Sequence, residues 1–217
     1  MSDAPAPGFL IILSLERTGS TSVSRALRRA TPTTPLLHVH FLDGDPYRSA
    51  PADAAEAASQ DSKRPKEAQA RAFLADPDPH GAVFTILRDP LSRVTSCLWY
   101  SKHDVLMGFY DHETDRFDPA ALDAVGKRIG LLLDKERHYD RDVRELLGLS
   151  RRPEPGQHRT RMGAPVFALD FRRIAEDFEG ATAAVFGAPI ALPHENAGSA
   201  SAIPEAMRRS SACAPRP

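Results

Sequence analysis

Cysteine is almost absent: 217 residues carry two, Cys97 and Cys213. Cys97 falls in a predicted helix and Cys213 in a polar tail, so no disulfide framework is expected. That usage fits a reducing, cytoplasmic setting. An excess of one charge is missing too. Lys plus Arg number 28 and Asp plus Glu 29, which leaves −1. No global field then draws the chain onto nucleic acid or an anionic membrane, and affinity for a polyanion must come from local groups of Arg and Lys. Long apolar runs are lacking as well. The run Phe9 to Leu15 is too short for a signal core or a membrane span, and the start MSDAPAPG has no basic region before it. The expectation is a cytosolic protein without an anchor. No internal repeat and no metal-ligand cluster is visible, so no metal is expected.

What is present suits one α/β domain. Apolar residues make up 41% and charged residues 26%, and a chain of this length is short for two domains. Residues 1–8 read as a loose Pro/Ala/Gly lead-in, 9–198 as the domain, and 199–217 as a loose polar tail. Phe9–Leu15 is a nearly continuous aliphatic run, the mark of a strand buried on both faces of a parallel sheet. Thr21–Arg29 has Val23, Ala26 and Leu27 at helical spacing. Leu36–Leu42 reads as a second strand, the stretch near Pro65–Leu74 as a helix, Ala82–Leu87 as a third strand, and a helix is expected to start close to Leu91 and run past Trp99. Residues 119–148 read as helical, with a second short helix over Asp140–Leu147 ending at Gly148. A basic loop (151–163), a strand at Pro165–Leu169 and an amphipathic helix over Phe171–Phe186 complete the series. Strands alternating with helices predict a parallel α/β sandwich.

Two segments carry chemistry. The first, Glu16-Arg17-Thr18-Gly19-Ser20-Thr21-Ser22, joins the first strand to a helix. A helix N-terminus exposes unpaired N–H groups and partial positive charge, so an anion sits there readily. Gly19 permits close backbone approach, Thr18, Ser20, Thr21 and Ser22 offer hydroxyls, and Arg17 adds a forked cation. The loop has no G-x-x-x-x-G-K-[ST] spacing and no Lys, which argues against an ordinary ATP or GTP hydrolase. Read alone, it is equally an N-capped helix after a strand. The second segment, Arg88-Asp-Pro-Leu-Ser-Arg93-Val-Thr-Ser96, begins at the C-terminal end of the third strand, where open α/β sheets place ligands. With a helix from Leu91, Arg93 and Ser96 share a face, and Arg88 and Ser96 can grip one phosphate. The alternative pairs Arg88 with Asp89 and leaves Ser96 in solvent.

Taken together and in this order, the two segments resemble the phosphosulfate loop and 3′-phosphate motif of the sulfotransferase family. The resemblance is nearest to its putative capsular polysaccharide synthesis subgroup. There a Gly-Ser-Ser/Thr loop precedes a His-x-His-Phe-Leu strand, here His38-Val-His40-Phe-Leu42, and an aromatic-Asp helix matches His138–Gly148. The resemblance spans roughly 9–190. It implies a three-layer P-loop NTPase-like sandwich around a central parallel sheet, acting with 3′-phosphoadenosine 5′-phosphosulfate as co-substrate. Arg17, Gly19, Ser20 and Thr21 would hold the 5′-phosphosulfate, and Arg88 and Ser96 the 3′-phosphate. The acceptor would be a hydroxyl of a carbohydrate or small metabolite, as in polysaccharide biosynthesis. Many members have Lys where Arg17 stands, and the chain is short for the family.

Sulfuryl transfer needs a base for the acceptor hydroxyl and stabilisation of the leaving phosphate. His38 and His40 lie two apart on the predicted strand and so share a face. Either is a candidate base, with His40 favoured as nearer the strand's end, and Arg17 would steady the leaving group. The alternative is a pair of structural histidines, hydrogen-bonded within the sheet. Trp99, Tyr100, Lys102, His103 and the basic loop are further candidates for contacting ligand. Two other classes stay open: a Mg²⁺-dependent P-loop kinase, and a non-catalytic module binding adenosine 3′,5′-bisphosphate. Oligomeric state and acceptor identity are not legible.

Overall fold

The computed structural model describes residues 7–42, 64–76, 80–100, 110–111, 116–117 and 119–193. The elements in chain order are β1 (Phe9–Leu13), α1 (Ser20–Ala30), β2 (Leu36–Val39), α2 (Arg64–Leu74), β3 (Gly81–Leu87), α3 (Pro90–Tyr100), β4 (Tyr110–Asp111), β5 (Arg116–Phe117), α4 (Pro119–Leu147), β6 (Gly156–Arg159), β7 (Pro165–Asp170), a 3₁₀ turn (Phe171–Arg173) and α5 (Ile174–Phe186). Five strands form one sheet in the order β2-β1-β3-β7-β6, and β4 and β5 form a separate two-stranded ribbon. β1 pairs in parallel with β2 and β3, and β3 with β7. β6 runs antiparallel to β7 at the edge.

The sheet is covered on both faces, which explains the unbroken aliphatic run of β1. Ile11 and Leu13 point into one layer with Leu37, Val39 and Val83, packed against Ala70 and Leu74 of α2 and Tyr139, Val143 and Leu147 of α4. Leu10 and Ile12 point the other way, with Phe84 and Leu169, against Val23 and Leu27 of α1 and Phe178 and Ala181 of α5. Alternation along one strand thus feeds two helical layers. α3 packs through Val94 and Cys97 on Leu132 of α4.

Three expectations are corrected. The helix over 119–147 is continuous, with no second short helix from Asp140. It holds no internal proline, and a methyl at Gly126 or Gly130 would meet open space. Exposed pairs such as Lys127–Asp123 and Arg141–Glu145 lie one turn apart along it. It ends at Gly148 (φ 67°). There Leu149 N–H donates to the Arg144 carbonyl at 2.9 Å and Gly148 N–H to Glu145 at 3.2 Å, the two bonds of a Schellman stop. The basic loop contains β6, whose Gln157 and Arg159 lie on an exposed edge and so lack an apolar signal. That strand makes the sheet mixed, not purely parallel. The helix expected close to Leu91 does begin there, at Pro90, because Asp89 Oδ1 accepts from Ser92 N–H at 2.7 Å and proline suits the first helical position. Finally, Phe171–Arg173 is a 3₁₀ turn, with Asp170 Oδ1 accepting from Arg172 N–H.

Candidate functional site

The connection β1–α1–β2 leaves to one side of β1, and the chain returns past it to β3 on the other. The loop after β1 leads to α1 on one face. The loop after β3 leads to α3, which packs against α4 of the opposite layer. Loops diverging from adjacent strands open a crevice at the strands' C-terminal ends, the usual ligand position in such sheets.

Arg17 and Gly19 both adopt left-handed backbone, at φ 63° and 79°. Such turns are the conformation in which successive N–H groups form an anion-binding hollow. For Arg17 the conformation is costly, and strain of this kind gathers at functional loops. Gly19 is the N-cap residue of α1 and supplies no side-chain cap, so the first-turn amides of Ser20 and Thr21 lack an intrahelical acceptor. A methyl at Gly19 would come 3.2 Å from Ile174 Cδ1, so glycine is required for space as well as for φ. The hydroxyls differ in their use. Thr18, 2% exposed, donates to the Leu15 carbonyl at 2.7 Å and closes the turn. Ser20 and Ser22 are buried, while Thr21 is exposed. Below the loop, Ser14 Oγ is buried with no hydrogen-bond partner.

Arg88 crosses to this loop. Its Nη1 donates to the Arg17 carbonyl, while Nε and Nη2 share Ser92 Oγ at 3.3 and 3.2 Å. Of five guanidinium N–H donors three are committed in this way, which leaves two at the terminal nitrogens. Burial pushes the Arg88 pKa down, and the nearby Arg17 and Arg93 charges act in the same direction, while Cys97 and Asp89 oppose them. An anion here would relieve that crowding. Ser92, which the sequence reading did not single out, is thus the residue that holds Arg88. Ser96 lies one turn further along the same face, half-buried. Arg93 does not join it: at 1% exposure it pairs with Glu136 and donates to the Leu132 carbonyl at 2.9 Å.

On the other side of the loop, β2 ends at Val39, so His40 lies just beyond the strand. Its Nδ1 donates to the Ser14 carbonyl. A carbonyl only accepts, so the proton of the neutral ring sits on Nδ1 and Nε2 keeps its lone pair. The His38 and His40 rings meet edge-on, 5.3 Å between centroids. Burial, then the charges of His40, Lys66 and Arg28, lower the His38 pKa to about 4. Its Nε2 is buried with no hydrogen-bond partner. Glu16 is the loop's one carboxylate, 3.6 Å from Lys135 of α4. Burial raises its pKa, but Lys135, a backbone hydrogen bond and the His40 and Arg93 charges outweigh that and leave it below the usual carboxylate range.

One helix anchors every loop of the site. Tyr139 donates to the Leu13 carbonyl at 3.0 Å, so its oxygen accepts the Thr85 hydroxyl at 2.5 Å. The ends of β1 and β3 are tied by one phenol. Asp142 Oδ2 accepts from Leu42 N–H at 3.2 Å, which fixes the segment after β2. Glu136, Tyr139 and Asp142 follow at three-residue steps, and Lys135 stands four before Tyr139, so they lie along one side of α4. Of the basic loop, Arg152 reaches inward and donates to the Arg88 carbonyl at 3.0 Å. Arg151 pairs with Glu154 at 3.8 Å in solvent, and Arg159 donates to Gly163 within its own turn. Lys102, His103 and the side chains of Trp99 and Tyr100 lie outside the described residues.

An open cleft of about 370 Å³, lined by Ala26, Arg29, Ala30, Ile190, Ala191 and Pro193, lies at the far end of α1 and shares no residue with the loop. Among the described residues no group of three or more His, Cys, Asp or Glu side chains is placed to hold a metal ion. No described helix is long and apolar enough to cross a membrane. Comparison of the chain with models of protein families, with curated proteins and with solved structures finds no match.

Proposed function

We propose that the chain is a sulfotransferase of the P-loop type. It moves a sulfuryl group from 3′-phosphoadenosine 5′-phosphosulfate to a hydroxyl of a carbohydrate or small metabolite. The observation that carries the reading is the meeting of the two arginine segments across the β1/β3 crevice, with Arg88 donating to the Arg17 carbonyl. The donor set suits a ligand with two separate anionic groups. The left-handed loop, the α1 N-terminus and Arg17 supply one hollow. The two remaining Arg88 donors and the face of Ser92 and Ser96 supply a second. Arg17, Thr18, Gly19, Ser20, Thr21 and Ser22 would frame the phosphosulfate, the Thr18 hydroxyl by closing the turn. Arg88 and Ser96 would take the 3′-phosphate.

When bound, the nucleotide supplies a sulfuryl group on a phosphate leaving group. The chain's own residues do the rest. Arg17 and the α1 amides set a positive field where negative charge builds. The Ser14 carbonyl holds the His40 tautomer with Nε2 free to take the acceptor's proton. His38 stays neutral, so it does not oppose a second positive charge arising on His40. Lys135 offsets Glu16, which would otherwise repel an anion at the loop.

The test is calorimetric titration with adenosine 3′,5′-bisphosphate beside ATP, with and without Mg²⁺. Metal-independent binding of the bisphosphate is expected, weakened about 30-fold or more in Arg88→Ala, the scale of a charge-assisted pair. Preference for Mg-ATP would replace the reading with a kinase. Bisphosphate binding with sulfuryl transfer undiminished in His40→Ala would remove His40 as the base. Binding with no transfer to any hydroxyl acceptor would leave a non-catalytic nucleotide module.

A further inference from the structure

Phe171 opens the 3₁₀ turn directly after β7, the strand beside β3. Its ring packs against the core layer under α1 and α5. Above the ring lies the Arg88 guanidinium, with Cζ 4.1 Å from the centroid. At its edge lies Gly19, where an added methyl would come 3.6 Å from Phe171 Cε2. One ring therefore lies under the arginine of the second segment and within a methyl's reach of the glycine of the first. A guanidinium lying over an aromatic face is attracted to it as a cation and keeps its N–H edge for hydrogen bonds. Ser92 Oγ and the Arg17 carbonyl hold two parts of that edge in place. Those three hydrogen bonds end on two oxygens and alone leave the plane free to rock; a ring 4.1 Å from Cζ would limit that motion.

We propose that Phe171 is the positioning residue for Arg88, locking its guanidinium plane so that the two uncommitted donors serve the second anion hollow, beside Ser92 and Ser96. The proposal deepens the nucleotide reading and rests on it for its binding readout. The geometric part has a readout of its own. A proton held over a ring face resonates upfield, so the Arg88 Nε–H signal, assigned by its disappearance in Arg88→Lys, reports the stacking without ligand.

The variants are Phe171→Leu, which keeps apolar volume without a π-face, and Phe171→Trp, which restores one. In the free protein, Phe171→Leu is expected to lose the upfield shift and Phe171→Trp to retain one. Affinity for adenosine 3′,5′-bisphosphate should fall about tenfold in Phe171→Leu and stay within about twofold in Phe171→Trp, as one partly buried cation–π contact allows. In an Arg88→Ala background the Phe171→Leu penalty should vanish, since nothing is left to position. An unchanged Arg88 signal in Phe171→Leu overturns the proposal whatever the nucleotide does. A penalty that persists without Arg88, or that Phe171→Trp shares, also overturns it, because the ring then serves only the core. If the wild type binds no bisphosphate yet the signal behaves as expected, the nucleotide reading falls and the positioning of Arg88 by Phe171 stands.

Discussion

Replacing Tyr139 by Phe removes one oxygen from the junction of three elements. The phenol is 2% exposed, and both its partners, the Leu13 carbonyl and the Thr85 hydroxyl, belong to fully buried residues. Two net hydrogen bonds are worth about 1 kcal/mol each, and leaving a buried carbonyl unpaired adds about 1 kcal/mol or more, so a loss of about 2–4 kcal/mol is expected. Urea unfolding at pH 7 measures it, with the slope unchanged if only stability has moved. A second signature comes from alkali. Burial pushes the Tyr139 pKa from 10.0 up to about 12, against the lowering effect of its bond with Thr85. The folded state thus keeps the proton longer than the unfolded one. The contribution is complete below pH 10 and is lost as pH rises from 10 through 12, at roughly 1.4 kcal/mol per unit. Wild type should lose about 2–3 kcal/mol over that window beyond what Tyr139→Phe loses. A Tyr139→Phe cost below about 0.5 kcal/mol, with parallel alkaline profiles, would refute the clamp.

Arg93→Met leaves Glu136 buried without its partner and should cost about 3–5 kcal/mol, while Arg93→Met with Glu136→Leu should recover most of it; chemical denaturation of the three variants measures this. His38 gives an acid signature. Its folded pKa of about 4 lies below the ordinary 6.5. The contribution is therefore complete above pH 6.5 and lost as pH falls from 6.5 through 4, by about 3–4 kcal/mol. His38→Phe should flatten the thermal midpoint across that range, and an unaltered profile would show that His38 titrates alike in both states.

The two-faced burial of β1, the helices of the sandwich and the glycine stop at 148 were readable from local pattern. Each rests on periodicity or on a residue with a special backbone. β6 was not, because an exposed edge strand of Gly, Gln, His and Arg has no apolar face to announce it. Nor was the unbroken length of α4, since two glycines and a dense run of charges resemble a boundary when their surroundings are unknown.

For the site, the chain order alone placed Arg17 and Arg88 each at the end of a strand, and His38 and His40 two apart. Whether those ends lie side by side depends on strand order, which is decided by how the helical layers bury their apolar faces. The tertiary structure set β1 beside β3, and with that came the contact from Arg88 to the Arg17 carbonyl. It also turned Arg93 inward to Glu136 and gave Arg88 to Ser92. It brought Tyr139 and Asp142 to partners 54 to 126 residues away along the chain, and set Lys135 beside Glu16 and Phe171 beside Gly19. Local pattern reports which side chains a segment must bury. Only packing reports what each one meets.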